Sequence, residues 1–140
     1  MMETIAEARK GLAEGGIPIG SVLVKGGTIV GRGHNRRVQD DDPLAHAEIV
    51  CLRDAGRQGS YAGTVLYSTL MPCYLCAGAV VQFGIGKVVA GESRTFTGAR
   101  EFMISHGTEV VDLNLQECVD MMERFISRNP ALWNEDIGEL

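Results

Sequence analysis

Two short motifs hold the residues best suited to chemistry: "HAE" at 46–48 and "PCYLC" at 72–76. Cys73 and Cys76 stand three apart at the start of a segment that reads as a helix, so both sulfurs share one face of its first turn. A helix N-terminus favours thiolate over thiol, and thiolate is the form a metal needs. Two soft sulfurs with the imidazole of His46 suit zinc, and three protein ligands leave the fourth tetrahedral position for water. Glu48 lies two residues beyond His46, near enough to move protons without being a ligand. Together they read as an open zinc site with one ion per chain.

Other readings of C-x-x-C explain less. A structural zinc site wants further ligands of the same kind, and no second pair exists in the sequence. A redox pair would leave His46 and Glu48 idle. A disulfide fits poorly because the N-terminus "MMETIAEARKGLAEGG" lacks the layout of a signal peptide, which predicts the cytoplasm, where thiols stay reduced. Cys51 and Cys118 read as buried filler.

The elements that must position these residues follow from periodicity and turn signals. Ile5, Ala8, Leu12 and Ala13 share one helical face, ended by Gly15 and Gly16. "IGSVLVKGGTIVGRGHN" reads as a hairpin turning at 26–27. A polar loop, 36–43, leads to a helix over 44–56, then a strand over 64–70 and the helix from Cys73. Strands at 87–92 and 109–113 flank a short helix around Arg100–Ser105. A strongly amphipathic helix over 115–128 is closed by Asn129 and Pro130, and the tail "ALWNEDIGEL" follows. Met121, Met122 and Phe125 should pack that late helix on the sheet or on another subunit.

This order predicts one domain over residues 1–140, α/β in class, with a mixed sheet of about five strands layered between helices. Ligands of such sheets sit beyond the carboxyl ends of strands, where helices begin, and both motifs fall there. A net charge of −5, with basic residues scattered singly or as Arg36–Arg37, argues against nucleic acid as a partner. No apolar run approaches the roughly 20 residues that span a bilayer, so no membrane partner is expected either. A small, weakly charged substrate is the expectation.

H-x-E with a later P-C-x-x-C is the signature of zinc deaminases acting on nucleobases. The chain resembles the fungal-type cytosine deaminases, the small branch of the cytidine and deoxycytidylate deaminase superfamily. Its marks are "EGGIPIG", "GRGHN", "HAE", "LYSTLMPCYLCAGA", "GIGKVVAGE" and "WNEDIGE", running from about residue 7 to the end. The resemblance implies a three-layer α/β/α fold around a five-stranded sheet, and a homodimer. It implies that His46, Cys73 and Cys76 hold zinc and that Glu48 shuttles protons. It implies further that Asn35 pairs with the pyrimidine ring, Phe96 covers it, Trp133 closes the pocket and Asp136 accepts from the exocyclic amine. Ala47 and Met71 fall at substrate-contacting positions, where the family more often has glycine and serine. Asn134 stands where an aromatic is usual.

The expectation is hydrolytic deamination of a free aminopyrimidine, cytosine first, with residues 130–140 as a lid over the site. Creatinine, guanine or a related azacycle remain alternatives within the class. Adenosine in tRNA would want a basic surface, and a structural-zinc module would need no Glu48.

Overall fold

The computed structural model describes residues 1–139. In chain order the elements are α1 (Met2–Ala13), β1 (Gly20–Lys25), β2 (Thr28–His34), α2 (Ala47–Ala55), β3 (Thr64–Ser68) and α3 (Tyr74–Phe83). They continue with β4 (Lys87–Ala90), α4 (Arg100–Ser105), β5 (Glu109–Asp112), α5 (Gln116–Arg128) and α6 (Pro130–Ile137). The five strands form one mixed sheet in the order β2-β1-β3-β4-β5. β1 pairs antiparallel with both β2 and β3, while β3, β4 and β5 run parallel.

Side chains alternate across this sheet, so each strand feeds two cores. Leu23, Leu66 and Val88 join Cys51 and Leu52 of α2 and Ala77 and Val80 of α3 on one face. On the other face Gly20 lies against α1, and Gly91, just past β4, lies against Cys118 of α5. Helices thus cover both faces of the sheet. Gly33 lets α2 approach β2 closely: a Cβ there would sit 2.7 Å from the Cys51 nitrogen. Met121, Met122 and Phe125 are buried within the chain, which resolves the two readings of α5 in favour of internal packing.

Several boundaries differ from the sequence reading: β3 and β4 end early, at Ser68 and Ala90, and three further differences touch the site or the tail. α2 begins at Ala47, not at residue 44, because the Ala45 carbonyl is taken by the Arg36 N–H and the Leu44 N–H donates to Asp42. α3 begins at Tyr74, with Cys73 as its N-cap. The tail is a helix: Pro130 sits at the first helical turn of α6, where its missing N–H costs nothing. Among the described residues no helix is long and apolar enough to cross a membrane.

Candidate active site

Two helix starts face each other at the carboxyl ends of β2 and β3, beside the amino end of β1. His46 is the N-cap of α2 and Cys73 the N-cap of α3, so neither is committed to regular helical backbone. The His46, Cys73 and Cys76 ligand atoms all lie within 4.8 Å of one another. Cys73 Sγ is 3.4 Å from His46 Nδ1. Tetrahedral zinc with Zn–S near 2.3 Å and Zn–N near 2.1 Å places sulfur and nitrogen ligands roughly 3.6 Å apart. Donor chemistry and spacing therefore fit zinc, with Nδ1 as the nitrogen facing the sulfurs. All four cysteines are free thiols.

Protein groups alone already separate the two thiols. Cys73 is held far below its ordinary value, at about 4, first by the Cys76 thiol beside it and then by the His46 ring, against the opposing effect of burial. Cys76 moves the other way, raised by Cys73 and by burial, so the negative charge sits on Cys73. Burial would lower the His46 ring, but Cys73 and Asp136 outweigh it and the ring is raised. Thiolate is the form a metal takes, and the His46 ring joins it only when neutral, so metal binding here would release protons.

Glu48, on the first turn of α2, is 4% exposed and accepts a hydrogen bond from Ser68 Oγ at 2.5 Å. Burial raises its carboxyl, the Cys73 charge adds to that, and hydrogen bonds from Cys76 and Ser68 oppose both. A buried glutamate pushed upward in this way is better suited to take and return a proton than a solvated one.

A cavity of about 20 Å³, room for about one water, opens between these groups and the tail. His46, Glu48 and Cys73 line one side; Met71, Phe96, Trp133 and Asp136 line the rest, with Ile19 and Leu70. Phe96 and Trp133 meet edge to face, with ring centroids 5.7 Å apart. The side chain of Asp136 is 5% exposed, and its Oδ1 lies 4.0 Å from His46 Nε2. Burial raises the Asp136 carboxyl, opposed by His46, Asn35 and Arg37. Outside lies a wider cavity of about 640 Å³ that shares His46, Cys73, Phe96 and Asp136 with the inner one. α6 contributes to the walls of both.

Two of the expected substrate contacts lie off the cavity wall, as does the ligand Cys76. Asn35 stands behind Asp136, its Nδ2 donating to Oδ1 at 3.2 Å. Ala47 is fully buried in the core that seats Trp133, with Ile17, Leu70 and Phe125. The structure also adds residues that spacing did not single out. Ser68 orients Glu48, and Arg37 reaches two successive tail carboxylates, Asp136 at 3.5 Å and Glu135 at 3.6 Å. Arg37 carries a faint signal, being the second basic residue after Asn35; Ser68 carries none.

The model of the cytidine and deoxycytidylate deaminase zinc-binding region matches residues 1–92. Cytosine deaminase of Candida albicans is 45% identical over 136 residues, covering 95% of this chain and 91% of that protein. The tRNA-specific adenosine deaminase of Bacillus subtilis is 39% identical over 137 residues, covering 89% and 85%. Among solved structures, one from work on tRNA:A34 deaminases superposes with a TM-score of 0.70 at 32% identity, over 79% of this chain and 95% of that one. The matched region takes in both helix starts that meet at the cluster, and on that basis the chain belongs to the cytidine and deoxycytidylate deaminase family.

Proposed function

We propose that the protein hydrolyses the exocyclic amine of a free aminopyrimidine base, cytosine first, giving uracil and ammonia. His46, Cys73 and Cys76 would hold one zinc per chain. The observation that carries this reading is the enclosure of His46, Glu48, the Cys73 thiol and Asp136 in one small cavity walled by aromatic rings. The similarity to a cytosine deaminase over nearly the whole chain supports it.

Zinc, when bound, supplies Lewis acidity and brings a water toward a pKa of about 7. The rest belongs to the chain. Glu48 takes one proton of the attacking water and gives it to the ring nitrogen beside the reacting carbon; it then takes the second, from the new hydroxyl as the carbonyl forms, and gives it to the amine, which leaves as ammonia. Asp136 accepts an N–H from the amine and repels the carbonyl that replaces it in the product. Asn35, behind Asp136, donates its amide N–H to that carboxylate and accepts the Arg37 N–H, and so orients the group that meets the amine. Phe96, Trp133 and Met71 exclude water and hold the ring flat.

A cavity of about 20 Å³ admits no base, so substrate must enter by displacement of the tail. Residues 130–139 therefore act as a lid on a single-domain body, with α6 hinged at Asn129; Leu140, the last residue of the expected lid, lies outside the described residues. Closure over the ring leaves no room for a sugar, which favours the free base over cytidine.

The reading extends to assembly and setting. α2 and α3 leave Phe83 exposed beside an apolar cavity that Ile49, Leu52, Tyr61 and Ala79 also line, a face suited to a second copy in a two-fold dimer. A cytoplasmic place in nucleobase salvage suits a soluble-type domain that releases uracil.

The relatives that act on tRNA adenosine supply the second reading, and net acidity opposes it. Ammonia release from cytosine, cytidine, guanine, creatinine and a tRNA anticodon stem decides. Turnover of cytosine with little on the rest is the expected result; preference for the tRNA would overturn the reading.

A further inference from the structure

The chain leaves β4 through Gly91 and Glu92, and Glu92 is a carboxylate with 0% exposure. A buried carboxylate is costly unless its oxygens are satisfied. Both oxygens of Glu92 are satisfied, and by the same short loop. Oε2 accepts the backbone N–H groups of Arg94 at 2.7 Å and Thr95 at 3.0 Å, while Oε1 accepts the Thr95 hydroxyl.

That loop, residues 93–98, carries Phe96 against Trp133. It is tied to the segment that supplies Cys73 at both ends. At the near end the Glu92 carbonyl accepts the Met71 N–H at 2.9 Å; at the far end the Ala99 N–H donates to the Pro72 carbonyl at 2.8 Å. Gly98 makes the far tie feasible: its φ is +66°, and a Cβ there would lie 2.6 Å from the Pro72 oxygen. Both end ties are backbone bonds, and the Glu92 side chain adds a clamp inside the loop.

We propose that Glu92 is a positioning residue whose side chain folds residues 93–98 so that Phe96 stands edge-on to Trp133 over the site cavity. Calling Phe96 a wall for substrate rests on the function proposed above; the placement of Phe96 against Trp133 does not. Geometry, not charge, is what Glu92 supplies. The Thr95 hydroxyl can accept as well as donate, so a glutamine could keep the fold. Its carbonyl oxygen would take the two backbone N–H groups, and its amide would donate to Thr95. Alanine would leave both backbone donors without a partner.

Three variants test this, with zinc content and thermal midpoint measured on each. Trp133 is the chain's single tryptophan and is 5% exposed, so acrylamide quenching reports directly on its cover. In E92A we expect KM for cytosine to rise more than kcat falls, with kcat/KM lower on the order of 10²-fold, the scale of misplaced substrates. Quenching of Trp133 should rise with it. E92Q should restore both readouts close to wild type. T95V, which loses only the hydroxyl, should shift both in the same direction by a smaller factor, and it stands as the test if E92A does not fold.

A general loss of stability would lower the thermal midpoint but leave KM and quenching of the folded protein unchanged, and that result would overturn the proposal. So would E92Q as impaired as E92A, which would assign the effect to charge. If wild-type protein proves inactive on cytosine, the functional reading fails, while Trp133 quenching in the same variants still decides the role of Glu92.

Discussion

Trp133→Ala removes the largest side chain that holds α6 to the body. The ring is 5% exposed and packs with Ile17, Ile19, Leu70, Met122 and Phe125. Truncating such a buried ring costs about 3–5 kcal/mol. α6 is the last helix, and these contacts join it to the rest, so the cost falls mainly on its docking. At about 1.4 kcal/mol per factor of ten, the lower bound raises the undocking constant on the order of 10²-fold. The hydrogen bond from Asn35 to Asp136 and the pairing with Arg37 persist and limit the effect. kcat/KM for cytosine should then fall by about 10- to 100-fold as the docked fraction falls. Zinc content should not change, because His46, Cys73 and Cys76 lie outside α6. Hydrogen exchange provides the second readout: amides of α6 should exchange faster by a similar factor, while those of β3 and β4 stay protected. Unchanged kcat/KM, or equal loss of protection in the sheet, would refute the hinged-lid argument.

Asp136→Ala leaves the buried Asn35 amide without its partner and should lower kcat/KM by about 5- to 150-fold, the range for one unsatisfied buried group. Asp136→Asn should fall between it and wild type in the same steady-state assay. Cys73 titrates at about 4 against an ordinary 9.0, so its thiolate stabilises the chelated protein at high pH and that contribution is lost as pH falls through about 4. Alkylation by iodoacetamide at about pH 6, read by mass spectrometry, should therefore mark Cys73 first. Cys51 and Cys118, which burial pushes to about 12 and about 11, should stay unmodified; equal labelling would contradict the assignment. Sedimentation should give about twice the chain mass, and Phe83→Glu on the exposed α2/α3 face should give a monomer. A wild-type monomer that is fully active would remove the dimer.

The metal cluster was legible because histidine, glutamate and two cysteines are chemically distinctive and their spacing survives folding unchanged. The sheet was legible because strands and helices alternate with clear turn glycines. α6 was not, since Asn129–Pro130 reads equally well as the stop of one helix or the first turn of the next. Asn35 was read as a ring contact, yet its amide is already engaged with Asp136, a residue 101 positions away. Glu92 was silent, and Arg37 nearly so, for the same reason. Their roles arise from loops that meet only in the folded chain, and nothing in "GES" or "NRR" announces a buried clamp or a tail contact.

Zinc content and uracil formation, measured side by side on wild type and Glu48→Gln, test the central claim most directly. Removing a proton shuttle costs on the order of 10²–10⁴ in rate, and the variant loses no ligand. Both proteins should carry one zinc per chain. Wild type should convert cytosine to uracil and ammonia in equal amounts, and Glu48→Gln should be slower by that factor. Zinc-loaded wild type that forms no uracil, or a variant that keeps wild-type turnover, would contradict the account.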